Sequence, residues 1–126
     1  TEQRLTNRDV PELALITKSL YTELQYDIYF RHVSLHPLYS LWHRMELRTF
    51  RRFCEEALQT RLVTQSDELF QAGHVAQAQA YLVIKGNLMY EQDAQTSPSH
   101  QCFAETVEYG DMMVEAALWS QWIHVG

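Results

Sequence analysis

The stretch that decides the fold is Gly110-Asp111-Met112-Met113-Val114-Glu115-Ala116-Ala117-Leu118. A short strand is predicted just before it, around Thr106–Glu108, and this strand leads into the sequence Tyr109-Gly110-Asp111. Glycine adopts positive φ readily, so this tripeptide predicts a turn. The stretch therefore follows a strand and a turn, which places it in a β-rich part of the chain.

The composition is that of a single globular domain. The 126 residues fit one domain, and a hydrophobic fraction of 46% argues against disorder throughout. The formal net charge is -6, from 16 acidic and 10 basic residues. Nucleic acid and anionic lipid surfaces attract excess Lys and Arg, so neither is expected as a primary partner. The chain begins at Thr1 and ends at Gly126, and we expect it to be a piece of a longer protein.

Residues 9 to about 58 are predicted to be helical. Asp9 is suited to cap the first turn, with Pro11 early in the helix. Apolar residues then recur at spacings of three and four, which predicts one apolar stripe: Leu13, Ile16, Leu20, Leu24 and Ile28. Pro37 should end or bend this helix, because the residue before a proline disfavours the helical conformation.

A second helical stretch is predicted after Pro37. Its apolar face is assigned to Leu38, Leu41, Met45, Phe50, Phe53 and Leu58. Four arginines alternate with these residues and are assigned to a solvated or partner-facing side: Arg44, Arg48, Arg51 and Arg52.

From about residue 62 the pattern becomes that of strands. Leu69-Phe70 before Ala72-Gly73 predicts a strand and a turn. Two strand-like runs, Ala80–Ile84 and Asn87–Glu91, are joined through Lys85-Gly86, which predicts a β-hairpin. Helices first and strands afterwards predict an α+β fold with an antiparallel β portion.

Three motifs of the β portion together resemble the cyclic-nucleotide-binding fold. Asp67-Glu68-Leu69-Phe70-Gln71-Ala72-Gly73 is similar to the strand and turn that open its β-roll. Ala80-Tyr81-Leu82-Val83-Ile84-Lys85-Gly86-Asn87-Leu88 is similar to the hairpin that follows. Gly110–Leu118 resembles the phosphate-binding segment of the family. The resemblance implies the first part of an antiparallel, jelly-roll-like β-roll over residues 51–126, incomplete at its C-terminus.

The helical half resembles the C-linker that joins a channel pore to such a domain. The similar segments are Val10–Leu13, Tyr26–Arg31, His36–Tyr39, the entry helix Arg51–Leu58 and the ending Ala117–Gly126. These resemble voltage-gated cation channels of the ether-à-go-go and hyperpolarisation-activated type in single-celled eukaryotes. Residues 1–50 are then C-linker-like helices, and residues 51–126 are a partial cyclic-nucleotide-binding-like domain.

This resemblance implies a regulatory role at the cytoplasmic face of a membrane. The domain would couple the tail of a channel, most often potassium-selective, to its pore gate. Its partners would be other subunits of the same channel, in a homotetramer assembled through the linker helices. Membrane contact would come only through spans upstream of Thr1. No enzymatic activity, cofactor or nucleic-acid partner is expected, and cAMP or cGMP is the candidate ligand.

The resemblance also implies a nucleotide pocket with altered chemistry. Its candidate residues are Gly110, Val114, Glu115, Ala116, Ala117, Leu118 and His124. Val114 stands where the family has a glycine, and a β-branched residue resists the positive φ that glycine allows. His124 stands where the family has an arginine that binds the phosphate with two hydrogen bonds. A neutral histidine lacks that planar fork, which weakens binding roughly tenfold for each such bond.

We therefore expect weak or absent binding of cyclic nucleotide. The role of Glu115 stays open between a hydrogen bond to the ribose hydroxyl and acceptance from the loop's own backbone. Trp119 and Trp122 are predicted either to fill the vacated pocket or to pack in the core or against the linker helices.

The remaining polar residues indicate no catalytic site. Cys54 and Cys102 form no CxxC pair, and free thiols are favoured over a disulfide or a metal site. The histidines of the helical half, His32, His36 and His43, are favoured as surface or core residues over metal ligands, because Pro37 interrupts the helix that would align them.

Two other functions stay open at this point. The chain is alternatively a working cAMP or cGMP sensor whose phosphate is held by backbone N–H groups and an arginine outside residues 1–126. It is otherwise part of a soluble protein of the kinase-regulator type, in which the helical half mediates oligomerisation.

Overall fold

The computed structural model describes residues 11–15 and 17–126 of the chain. The capping role predicted for Asp9 and the contribution of Ile16 to the apolar stripe lie outside these residues. The chain divides into two compact units, Thr1–Leu62 and Val63–Gly126. The described helices lie in the first unit and the strands in the second, so the predicted α+β class is confirmed.

The first unit contains a 3₁₀ turn, Pro11–Leu15, followed by α1 (Lys18–Val33), α2 (Pro37–Met45) and α3 (Leu47–Glu56). Thr17 caps α1, because its hydroxyl accepts a hydrogen bond from the Leu20 backbone N–H at 3.4 Å. His36 caps α2 through Nδ1, which accepts from the Leu38 N–H at 3.2 Å. Pro37 occupies the first helical position, so the predicted break before it is confirmed.

The continuous second helix predicted over residues 38–58 is wrong, because Glu46 divides it. Glu46 has φ -149° and ψ 85°, outside the helical region. Its backbone N–H donates to the Trp42 carbonyl at 2.9 Å, which ends α2. Its carboxylate accepts from the Arg48 N–H at 3.2 Å, which begins α3. Glu46 thus caps both the end of α2 and the beginning of α3. The spacing of apolar residues does not predict such a break.

The apolar stripe predicted along α1 is also wrong in position. The buried residues of this helix are Gln25, Tyr29 and Val33, whereas Leu20 is half exposed. Tyr29 reaches the end of the unit, where its hydroxyl lies 3.2 Å from the Thr60 hydroxyl. The half-buried rings of Tyr26 and Phe30 pack against rings of α2 and α3.

Phe50 of α3 is the centre of this aromatic core. It is fully buried, and its ring meets those of Tyr26, Phe30, Trp42 and His43 edge-on, at centroid distances of 5.3–6.4 Å. His43 Nε2 lies 2.7 Å from the Tyr26 hydroxyl, which satisfies a polar atom inside the cluster. Edge-to-face rings place positive edges on negative faces, so the cluster is favourable beyond its apolar area.

The second unit contains β1 (Tyr81–Leu82), β2 (Leu88–Gln92), β3 (Phe103–Val107) and β4 (Met112–Met113). They form two antiparallel two-stranded sheets, β1 with β4 and β2 with β3. Leu88 pairs with Val107, and Gln92 pairs with Phe103. The strand predicted at Asn87–Glu91 is confirmed within one residue.

The hairpin predicted through Lys85-Gly86 is wrong in its pairing. Gly86 does form a turn with φ 77°, but the strands on its two sides lie in different sheets. Tyr81 pairs with Met113, and the Val83 N–H donates to the Asp111 carbonyl at 3.1 Å. The turn signal was correct, whereas the strand partner is distant in sequence and follows from tertiary packing.

The strand predicted at Leu69-Phe70 does not form. Gly73, with φ 82°, turns the backbone there, and an isolated antiparallel bridge joins Val75 to Ile123. Phe70 instead packs as a ring, with centroids 4.3 Å from His124 and 5.9 Å from Tyr81. The strand predicted around Thr106–Glu108 is present but begins earlier, at Phe103, and ends at Val107.

Candidate functional site

The turn before the candidate segment is fixed by backbone and side-chain hydrogen bonds. Gly110 has φ 89°, and its N–H donates to the Val83 carbonyl at 2.8 Å. The Asp111 N–H donates to the Glu108 carbonyl at 3.0 Å, and the Asp111 carboxylate accepts from the Glu108 N–H at 2.9 Å. Glycine adopts this φ at little cost because it has no Cβ, so the geometry of the turn explains the glycine at position 110.

Val114 lies in the left-handed region, with φ 60° and ψ 29°. The chain then forms the 3₁₀ turn Glu115–Leu118, in which the Ala117 N–H donates to the Val114 carbonyl at 3.1 Å. For a non-glycine residue this conformation costs roughly 1–2 kcal/mol. The backbone thus takes a glycine-type conformation at the position where the resembling family has glycine.

The other residues of the segment form the short turn itself. Ala117 is buried, whereas Glu115, Ala116 and Leu118 are half buried. The Ala116 carbonyl accepts from the Ser120 hydroxyl at 2.9 Å and from the Ser120 N–H at 3.0 Å.

His124 is held inside the second unit, with 7% of its surface exposed. Its backbone N–H donates to the His74 carbonyl at 2.9 Å, and its own carbonyl accepts from the Gly73 N–H at 2.8 Å. Its ring stacks on Phe70 with centroids 4.3 Å apart and planes 11° from parallel. Within the described part of the chain, the buried Nδ1 has no hydrogen-bond partner.

Burial lowers the pKa of His124 below its usual value of 6.5, and the charge of His74 lowers it further. The imidazole is therefore neutral at neutral pH. A neutral ring stacked on Phe70 supplies no positive charge at the position where the resembling family has an arginine.

A cavity of about 350 Å³ lies beside these residues. Rings and thioethers form most of its apolar lining: Phe70, Tyr90, Met112, Met113, Trp122 and His124. Glu105 and Asp111 contribute carboxylates, and the described lining contains no Lys or Arg. Such a lining is unfavourable to a phosphate group, because nothing offsets its charge.

The structure brings two of the seven predicted pocket residues to this cavity. Val114 and His124 line it, whereas the other five lie outside its lining: Gly110, Glu115, Ala116, Ala117 and Leu118. Trp122 lines the cavity, whereas Trp119 is largely exposed.

Sequence reasoning missed Tyr90, Met112 and Met113 as lining residues. Met112 and Met113 lie in the stretch Gly110–Leu118, where the sequence shows only two apolar residues after a turn. Their position in the unit follows from the pairing of β4 with β1, which no local pattern predicts.

Comparisons with known proteins add no relative: no family model, no curated protein and no solved structure matches this chain. Across residues 11–15 and 17–126, no helix is both long and apolar enough to cross a bilayer. The same residues contain no cluster of three His, Cys, Asp or Glu side chains arranged to hold a metal ion.

Replacement of Val114 by glycine should relieve backbone strain that replacement by alanine keeps. Val114→Gly removes the left-handed strain, whereas Val114→Ala deletes the same methyl groups and keeps a Cβ at positive φ. The larger entropy of glycine in the unfolded chain offsets part of the gain. We expect Val114→Gly to exceed Val114→Ala by about 0.5–1 kcal/mol in the free energy of unfolding measured by urea denaturation. A glycine variant less stable than the alanine variant would show that this φ is not adopted.

Stability should fall as pH drops below about 6.5, because the unfolded His124 takes up a proton before the folded one does. The loss continues until the pH reaches the lowered pKa of the folded state. His124→Phe keeps the ring stacked on Phe70 and cannot titrate, so it should flatten this part of the pH profile of unfolding. His100→Asn, which removes an exposed histidine and tolerates the positive φ found there, serves as the control. An unchanged slope in His124→Phe would contradict the burial of a neutral imidazole.

Proposed function

We propose that this chain is a cytoplasmic regulatory domain of a voltage-gated, potassium-selective cation channel, with weak or absent binding of cyclic nucleotide. The observation that carries the proposal is the positive φ of Val114 directly before the 3₁₀ turn Glu115–Leu118. The backbone at Val114 has the conformation that a glycine would favour, although the residue is a valine. This conformation supports the resemblance of the segment to the motif.

The arrangement of strands is compatible with the opening part of a β-roll. The two antiparallel sheets and the bridge between Val75 and Ile123 supply short paired segments in a chain that turns repeatedly. In this proposal residues 51–126 form the first part of that β-roll, and residues 1–50 correspond to the linker helices.

The cavity chemistry supports the loss of nucleotide binding. A cyclic nucleotide carries one negative charge on its phosphate, and the described lining offers two carboxylates and a neutral His124. Transfer of a charged phosphate into this site would lack the charge-assisted hydrogen bonds that make such transfer favourable.

An exposed apolar face on α2 supports a role in subunit assembly. Leu38, Leu41 and Met45 follow one another at spacings of three and four, and 42%, 47% and 75% of their surfaces are exposed. Residues at this spacing share a helix face. An apolar stripe left in solvent is suited to contact with another subunit, and in this proposal the contact builds a homotetramer.

The same contact provides the regulatory mechanism. If subunits touch through α2 differently in the closed and open channel, any change in the second unit that favours one arrangement shifts the gating equilibrium by that difference in free energy. Ligand binding is then unnecessary for the domain to influence the gate.

Substitution of the α2 face should reduce self-association. Leu41→Glu with Met45→Glu places two charges on the apolar stripe, so we expect a shift from oligomer toward monomer in sedimentation velocity. The control is Met89→Glu, which charges a methionine of the second unit with 64% of its surface exposed. A wild-type chain that stays monomeric at all concentrations, or an equal loss with the control, would contradict the assembly role.

The channel assignment itself is tested by the coding sequence upstream of Thr1. The proposal requires several apolar membrane spans there, one of them rich in arginine. An upstream region that encodes only soluble domains would rule out the channel and favour the soluble regulator.

A further inference from the structure

A groove of about 500 Å³ in the helical unit concentrates positive charge. It lies between the beginning of α1, which contributes Lys18 and Thr22, and the length of α3. From α3 it receives Arg48, Arg51 and Arg52. Four of the chain's 10 basic residues therefore line one concavity, although the chain as a whole has a formal net charge of -6.

Two of these cations form no ion pair with a described residue, although Glu55 and Glu56 also line the groove. Among the described residues, neither Lys18 nor Arg48 has an ion pair. Arg52 is engaged by Glu56 at 3.4 Å, in an exposed pair that contributes little. Lys18 and Arg48 are both exposed in this groove, so added salt screens their field.

Arg51 is held in place against the core. Its guanidinium carbon lies 5.0 Å from the centre of the Tyr26 ring, and its buried Nε has no hydrogen-bond partner within the described residues. A guanidinium ordered on a ring in this way loses less conformational entropy when it binds an anion.

The order of charges along α3 opposes the helix dipole. Arg48 lies in the first turn, where the positive end of the dipole disfavours a cation, and Glu55 and Glu56 lie in the last turn, where carboxylates are disfavoured. Glu46 offsets part of this by capping the helix through the Arg48 N–H. This order of charges weakens the isolated helix and raises the positive potential at one end of the groove. A bound anion would offset that potential.

We propose that this groove binds a multiply charged oxyanion of the phosphate class, with Lys18, Arg48 and Arg51 as its contacts. Arg48 and Arg51 are three residues apart on one face of α3, so their guanidinium groups can approach the same ligand with paired N–H donors. Lys18 adds a point charge from the opposite wall, and the Thr22 side chain lies one turn further along α1. The acidic end of the groove at Glu55 limits the ligand to the first turns of α3. This inference is independent of the function proposed above, because it uses none of the residues on which that proposal rests.

The test is a calorimetric titration of the chain with tripolyphosphate. We expect saturable binding that weakens with added salt.

Three variants test the assigned contacts. Arg48→Gln should weaken the binding about tenfold, since it removes charge-assisted hydrogen bonds. Arg44→Gln is the matched control, because Arg44 is an exposed arginine of α2 that does not line the groove, and its effect should stay below about twofold. Glu55→Gln should tighten binding, because it removes repulsion without removing a contact. Unchanged helical circular dichroism in each variant excludes misfolding as the cause.

A second arm distinguishes the sources of the phosphate. Binding of tripolyphosphate that depends on Arg48 supports a soluble ligand. Binding to phosphatidylcholine vesicles only when they contain phosphatidylinositol bisphosphate, again dependent on Arg48, supports a lipid headgroup. The proposal is overturned if neither probe binds, if Arg44→Gln weakens binding as much as Arg48→Gln, or if only an oligoglutamate peptide binds.

Discussion

Backbone pairing between residues 73–76 and 122–125 is the constraint on which the second unit depends. The His124 N–H donates to the His74 carbonyl, the Gly73 N–H donates to the His124 carbonyl, and the Ala76 N–H donates to the Trp122 carbonyl. The Val125 carbonyl also accepts from the Asp93 N–H and the Thr96 hydroxyl. These bonds attach the final segment to two separate parts of the unit. They place His124 on Phe70 and Trp122 against the cavity, so the chemistry of the site follows from backbone pairing.

The burial imposed by this pairing explains why His124 is neutral. A histidine stacked on a ring and removed from water holds its proton weakly, so no cation faces the cavity near neutral pH. The backbone of the same unit is strained at Val114. Its positive φ persists although the side chain disfavours it, which requires the surrounding turn to hold it in place.

Several features of the fold were predictable from sequence, and the physical reasons differ. The helix break at Pro37 and the turns at Gly86 and Gly110 follow from local backbone restrictions, which act within a few residues. The α+β class follows from the change in apolar spacing. The partner of β1 could not be predicted, because Tyr81 pairs with Met113 across the unit and a turn signal carries no information about distant strands. Val114 and His124, which the motif names, line the cavity, whereas the lining residues Tyr90 and Met112 follow from tertiary pairing.

The cavity of the second unit does not favour the charged phosphate of a cyclic nucleotide. Calorimetric titration with cAMP and with adenosine, its uncharged counterpart without the phosphate, measures the contribution of the phosphate to binding. The lining of rings, thioethers and carboxylates predicts that cAMP binds no more tightly than adenosine, because the phosphate contributes no favourable contact. Saturable micromolar binding of cAMP that exceeds that of adenosine would contradict the account, since it would require a phosphate contact that the neutral His124 does not supply.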